Sequence, residues 1–126
     1  MKSREGLIRL KRFQVEEKRR QAAQIEAMIA EFDRMAKELN DQVLAEQERS
    51  GIHDAGHFAY PTFAKAATQR RDNLAASERA LKEKLAAAKA AHEEAVAELE
   101  KVEAIAERDQ ANANASHKAA AEARAS

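Results

Sequence analysis

Apolar residues recur at heptad spacing along two long stretches of the chain. In the first stretch, apolar side chains return every seven positions from Ile8 to Val43, and a second column, three positions on, is apolar from Ile25 to Leu39. These two columns have the spacing of the a and d positions of a coiled coil. The pattern predicts a first helix over about residues 4–49.

A short segment with two glycines and a proline separates the two stretches. Gly51 suits the left-handed position that follows the last turn of a helix, and Pro61 suits the first turn of the next one. We therefore predict a connector over residues 50–60 and a second helix over about 61–109. The heptad is lost beyond that point, so the Ala-rich residues 110–126 are predicted to form a frayed or disordered, flexible tail.

The two predicted helices can be paired antiparallel in a single register. When residues whose numbers sum to about 111 face each other, strongly apolar residues meet along the whole length. The sequence therefore predicts an all-α fold, an antiparallel coiled-coil hairpin over residues 1–109. A parallel homodimer of long rods is the alternative. The predicted seam residues are Ile8, Val15, Ile25, Ile29, Phe32, Leu39, Val43, Leu74, Leu81, Leu85, Leu99 and Val102.

Composition argues against several classes of protein. The 126 residues include no cysteine, so a disulfide framework, a thiolate nucleophile and a cysteine-based metal site are excluded. No apolar run approaches the roughly 18 residues that cross a bilayer, so no membrane insertion is expected. Phosphate-binding and catalytic motifs are absent, and a two-helix hairpin offers no enclosed pocket. We expect no enzyme activity, no catalytic residues and no cofactor.

Two histidines in the connector are the best candidates for a metal site. His53 and His57 are four residues apart and lie beside Asp54. Gly51 and Gly56 interrupt any helix that would bring them to one face, and no third ligand is evident. We interpret both as solvated loop histidines and predict no metal.

The charge is balanced overall but unevenly distributed. Lys and Arg number 22, as do Asp and Glu, yet residues 1–20 carry eight basic and three acidic groups. We call residues 1–20 the basic end. Phe13 is the single aromatic residue among its charges and no nucleic-acid-reading motif is present, so nucleic acid is not the expected partner. A solvated helix surface is one interpretation; an acidic protein surface as partner is the other.

Two candidate binding surfaces emerge. In the basic end, apolar residues and arginines lie around the helix away from the seam, which indicates a second partner: Leu7, Arg9, Leu10, Arg12, Phe13, Arg19 and Arg20. At the connector, three of the five aromatic residues gather within six positions. They either pack on one another and on Val43 and Leu44 or bind a partner; this second candidate surface is Leu44, Phe58, Tyr60 and Phe63.

Two segments of the chain resemble the flagellar export protein FliJ family. They are residues 3–20, SREGLIRLKRFQVEEKRR, and residues 58–63, FAYPTF, which open the second helix. The resemblance extends over about residues 1–109 and leaves the tail unmatched. It implies a two-helix antiparallel coiled coil similar to the stalk subunit of rotary ATPases.

The resemblance also implies a function. It implies a cytoplasmic, non-enzymatic component of the flagellar type III export apparatus at the inner membrane, whose terminal end docks in the ring of the export ATPase FliI. The other partners it implies are the export gate protein FlhA and the export chaperones. Some members carry more aromatic residues where this chain has Leu44 and Glu48, a departure that affects the expected gate contacts. From the residues alone, a general coiled-coil scaffold or homodimeric spacer without a motor partner is the alternative.

Overall fold

The computed structural model describes residues 2–125, with side chains from residue 4 onward. It consists of two α-helices, α1 (Lys2–Ser50) and α2 (Thr62–Ala125), joined by the connector, which occupies residues 51–61. The two helices pack against each other, and residues 2–125 contain no strand, which confirms the predicted all-α hairpin. Over the same residues, neither helix has a segment long and apolar enough to cross a membrane.

Helix α1 ends at Ser50 and α2 begins at Thr62, each one residue later than predicted. Gly51 has a φ of 75°, the left-handed conformation that non-glycine residues disfavour. Its N–H donates to the carbonyl of Gln47 at 2.9 Å and closes the last turn of α1. Helix α2 begins at Thr62, directly after Pro61, whose carbonyl accepts the N–H of Lys65 at 3.1 Å.

The predicted end of the second helix is wrong. Helix α2 continues sixteen residues past position 109 and ends at Ala125. Residues 110–125 are all exposed, so this extension has no buried face. The physical reason is that alanine has the highest intrinsic helix propensity, and no glycine or proline interrupts the segment. A heptad reports a packing partner, and its loss here marks the end of packing rather than the end of the helix.

The chain divides into two compact units, each of which contains a part of both helices. The connector unit comprises residues 21–87. Its core is a cluster of the buried residues Leu39, Val43 and Ala67, with Leu74 packed against it. These contacts are those of the predicted register, in which Leu39 meets Leu74 and Val43 meets Ala67.

The terminal unit comprises the described residues up to 20 and from 88 onward. Its buried apolar residue is Ala95, and cross-helix ion pairs accompany the packing. The residue numbers of each pair sum to between 109 and 115, so the two segments of this unit also run antiparallel. The pairs are Arg4–Asp109 at 2.5 Å, Lys11–Glu98 at 2.9 Å and Arg12–Glu103 at 3.3 Å.

None of the twelve predicted seam residues is exposed. Leu39, Val43 and Leu81 are buried, and the other nine are half-buried. Partial burial is what a two-helix layer produces, since each helix has a neighbour on one side only. The seam therefore stabilises the fold with less buried area per residue than a globular core provides.

Candidate binding surfaces

Three large apolar side chains of the basic end are exposed. Leu7, Leu10 and Phe13 have 42%, 50% and 62% of their surface accessible. We call these three residues the N-terminal stripe. They lie outside the a and d columns of α1, so α2 leaves a large part of each side chain uncovered. Apolar side chains outside the seam of a two-helix layer are available to a further partner.

The arginines around this stripe are mostly paired within the terminal unit, which the sequence did not reveal. Arg12 pairs with Glu103 at 3.3 Å, and Arg19 donates from Nε to Glu16 at 3.0 Å. This hydrogen bond lowers the pKa of Glu16 below its usual range. Arg20 lies 3.9 Å from the same carboxylate. Among side chains 4–125, Arg9 is the arginine of this group without an ion pair. The charge offered to an acidic partner is thus smaller than the composition of the basic end indicates.

The apolar surface of the terminal unit continues from α1 onto α2. Leu7 lines a surface groove with Val102 and Ile105, and Ile105 is 43% exposed. Phe13 lines a second groove, whose α2 wall includes Ala91 and Ala95. Sequence reasoning missed Ile105 as a surface residue. Ala91, Glu98 and Ile105 are seven residues apart in turn and form a column beside the seam. This spacing could have identified Ile105 as a residue at the edge of the seam.

The connector surface is more exposed than a closed loop would be. Phe58 is 97% exposed, and Phe63 and Leu44 are each more than half exposed. The interpretation in which the aromatic rings pack together is therefore wrong for Phe58. Its ring stacks on the His57 imidazole at a centroid distance of 4.7 Å. Tyr60 differs, since it is half-buried and its hydroxyl accepts a hydrogen bond from Nε2 of Gln47 at 3.0 Å.

Side chains and backbone of the connector fix its turns. The carboxylate of Asp54 accepts the N–H of Gly56 at 2.9 Å, and Nδ1 of His57 accepts the N–H of Ala59 at 3.0 Å. This bond occupies one nitrogen of His57, while His53 is exposed on the other side of Asp54 in sequence. Within residues 2–125, no group of three histidine, cysteine or carboxylate side chains could hold a metal ion.

The geometry thus provides two exposed apolar surfaces, one in each unit, with aromatic residues in both. Comparison of the chain with protein-family models, with curated proteins and with solved structures finds no match. What these surfaces bind must therefore be argued from their own chemistry and from the resemblance described above.

Proposed function

We propose that this protein is a non-enzymatic stalk and adaptor of the bacterial flagellar type III export apparatus. Its terminal unit binds the ring of the export ATPase FliI, and its connector unit binds the export gate protein FlhA or export chaperones. It acts in the cytoplasm, peripherally associated with the export apparatus at the inner membrane, without a cofactor. The resemblance of residues 3–20 and 58–63 to the FliJ family supports the flagellar assignment.

The exposed N-terminal stripe is the observation that carries the proposal. A helix enclosed by a ring contacts protein on all sides, whereas a helix in a simple two-stranded coil needs apolar residues only along its seam. Leu10 and Phe13 are at least half exposed and lie outside the seam of α1. Arg9, which has no ion pair among side chains 4–125, adds a cation suited to a carboxylate of the ring. These features favour a stalk over a uniform spacer.

The connector surface supports a second contact. Aromatic side chains that are exposed yet held by an ordered backbone are typical anchors of protein interfaces. Phe63 lies in the first turn of α2 and Phe58 in a hydrogen-bonded turn, so neither must be ordered on binding. Binding at this surface would leave the terminal unit free for the ATPase.

The proposal is tested by two double variants of matched chemistry. Arg9→Glu with Phe13→Ser alters the terminal unit, and Arg70→Glu with Phe63→Ser alters the connector unit. Each removes one exposed phenylalanine and reverses one exposed arginine that has no ion pair among side chains 4–125. Binding to purified FliI and FlhA is measured by surface plasmon resonance, and ATPase stimulation by phosphate release.

The expected results are opposite for the two variants. The terminal variant loses stimulation of the ATPase and keeps FlhA binding, whereas the connector variant loses FlhA binding and keeps stimulation. Both retain the helix content of the wild type by circular dichroism, because the altered side chains are exposed. Failure of the wild-type protein to bind either partner would contradict the proposal and favour the scaffold alternative.

A further inference from the structure

The two grooves of the terminal unit lie on the same side of the seam. Ala91, Glu98 and Ile105 are spaced seven residues apart, so they lie on one face of α2. Ala91 and Glu98 line the groove that contains Phe13, and Ile105 lines the groove that contains Leu7. We call these two grooves, together with the exposed Leu10 that lies between Leu7 and Phe13 on α1, the terminal groove. Leu7 and Phe13, the two ends of the N-terminal stripe, each line one of its two grooves.

Charge changes sign along the α2 side of the terminal groove. Glu94, Lys101 and Arg108 are also seven residues apart and follow one face of the helix, next to the groove. All three are exposed and have no ion pair among side chains 4–125. Glu17, on the α1 wall beside Glu94, adds to the acidic end. Lys18, on the same α1 wall, offsets one of these two carboxylates. The groove therefore keeps a net negative charge near Phe13 and is basic near Leu7.

The charged column on α2 and the N-terminal stripe on α1 have their midpoints at about the same level of the terminal unit. Lys101 lies halfway between Glu94 and Arg108, and Leu10 lies halfway between Leu7 and Phe13. In the register of this unit, where paired numbers sum to between 109 and 115, Leu10 lies at about the level of Lys101. A twofold axis at that level would place the acidic end of one copy on the basic end of another.

We propose that a second copy of this chain covers the terminal groove, antiparallel to the first, about a twofold axis near Leu10. In this arrangement Leu10 meets its own copy and Leu7 meets Phe13 of the second copy, so the N-terminal stripe is buried. Glu94 of each copy meets Arg108 of the other copy, so this ion pair forms twice in the dimer. A parallel arrangement would instead bring like charges together, which disfavours it.

The affinity of this dimer is limited by two features. Lys101 meets Lys101 of the second copy at the axis, and the two ammonium groups repel each other, which opposes association. The long side chains reduce this repulsion because they can extend into the solvent. The stripe itself comprises only three side chains in each copy. We therefore expect a reversible dimer with a Kd on the order of micromolar to tens of micromolar, weakened by salt because the flanking charges are exposed.

This inference depends on the geometry of the terminal groove and not on the flagellar assignment. If both hold, the dimer covers the stripe that the ATPase ring would contact, so self-association and ring binding are mutually exclusive. The dimer would then be the form of the protein that has not yet met its ATPase.

Sedimentation velocity of the full chain over a concentration series tests the proposal without any other protein. The wild type is expected to shift from monomer to dimer with rising concentration. Leu10→Lys adds two ammonium groups at the axis to those of the two Lys101 side chains and should raise the Kd at least tenfold, since like charges at an interface are strongly unfavourable. The matched control is Leu44→Lys, because Leu44 is 52% exposed against 50% for Leu10 and lies in the connector unit. It should dimerise as the wild type does.

Two further variants test the orientation. Glu94→Arg should weaken the dimer, and the double variant Glu94→Arg with Arg108→Glu should restore it. The chain has no cysteine, so Leu10→Cys introduces a single thiol. Mild oxidation should link two copies through it, whereas Leu44→Cys should remain unlinked.

Three outcomes would overturn the proposal. They are a wild type that remains monomeric at every concentration, equal Kd values for Leu10→Lys and Leu44→Lys, and a charge swap that fails to restore the dimer. Dimerisation of the wild type without oxidative linkage of the Leu10→Cys variant would show a different interface and would also contradict the proposal. Binding to FliI is measured separately, so failure here leaves the proposed function standing.

Discussion

Replacing Leu39 by alanine measures what the seam contributes to stability. Leu39 is 8% exposed and packs with Val43, Ala67 and Leu74 in the connector unit. The substitution removes three carbon groups, each worth about 0.8 kcal/mol when buried, and so about 2.4 kcal/mol of transfer free energy. In enclosed cores an added cavity term raises the cost of Leu→Ala to roughly 3–5 kcal/mol. The two-helix layer is open at its sides, so we expect little cavity term and a loss of about 2.5 kcal/mol.

Thermal unfolding followed by far-UV circular dichroism checks this value. An unfolding entropy of about 2.1 cal/mol/K per residue over 126 residues converts the loss to a fall in Tm of about 9 °C. Leu44→Ala is the matched control, because the same side chain is removed from the same helix at a site that is 52% exposed. It should change the stability by less than about 1 kcal/mol.

Equal falls in Tm for the two variants would refute the reasoning. Such a result would mean that burial in the seam is not what distinguishes Leu39 from Leu44. A chemical denaturation series with unchanged m-values for both variants would show that the comparison is made between the same folded and unfolded states.

Three further predictions concern glycine, pH and the end of α2. Gly6→Ala should stabilise the protein by about 0.5–1 kcal/mol, since Gly6 is inside α1 and an added Cβ there would have open space around it. Gly51→Ala should destabilise the protein by about 1–2 kcal/mol because of the positive φ of Gly51. Urea unfolding of both variants measures these changes in the free energy of unfolding. The hydrogen bond from Arg34 lowers the pKa of Glu31 in the folded state. The stabilisation from this bond is present above the unfolded pKa of about 4.3 and is lost as the pH falls through the folded value. Arg34→Ala should therefore reduce the loss of stability on acidification, which a circular dichroism titration measures. Removal of residues 116–126 should leave the Tm unchanged within error while lowering the helical signal, because residues 110–125 are all exposed, and a lower Tm would show that this segment packs.

The order of the elements and the pairing of the helices could be predicted from the sequence. Heptad spacing identifies the face of each helix that must be buried, and Gly51 and Pro61 mark where regular structure stops and resumes. These are local properties of the chain. The pairing of Leu39 with Leu74 followed because a single register matches apolar residues over the whole length. The same local physics could have predicted α2 beyond residue 109, since alanine favours a helix whether or not a partner is present.

Only the tertiary structure decided which charges and rings remain available to a partner. Arg12 and Glu103 are 91 residues apart in the chain, and their ion pair forms because the two helices meet in this register. Tyr60 is half-buried and accepts a hydrogen bond from Gln47, whereas Phe58, two residues earlier, is exposed. Composition counts every arginine and every aromatic ring equally. Their availability depends on rotations of the helices and on loop geometry, and these are set by contacts between residues far apart in sequence.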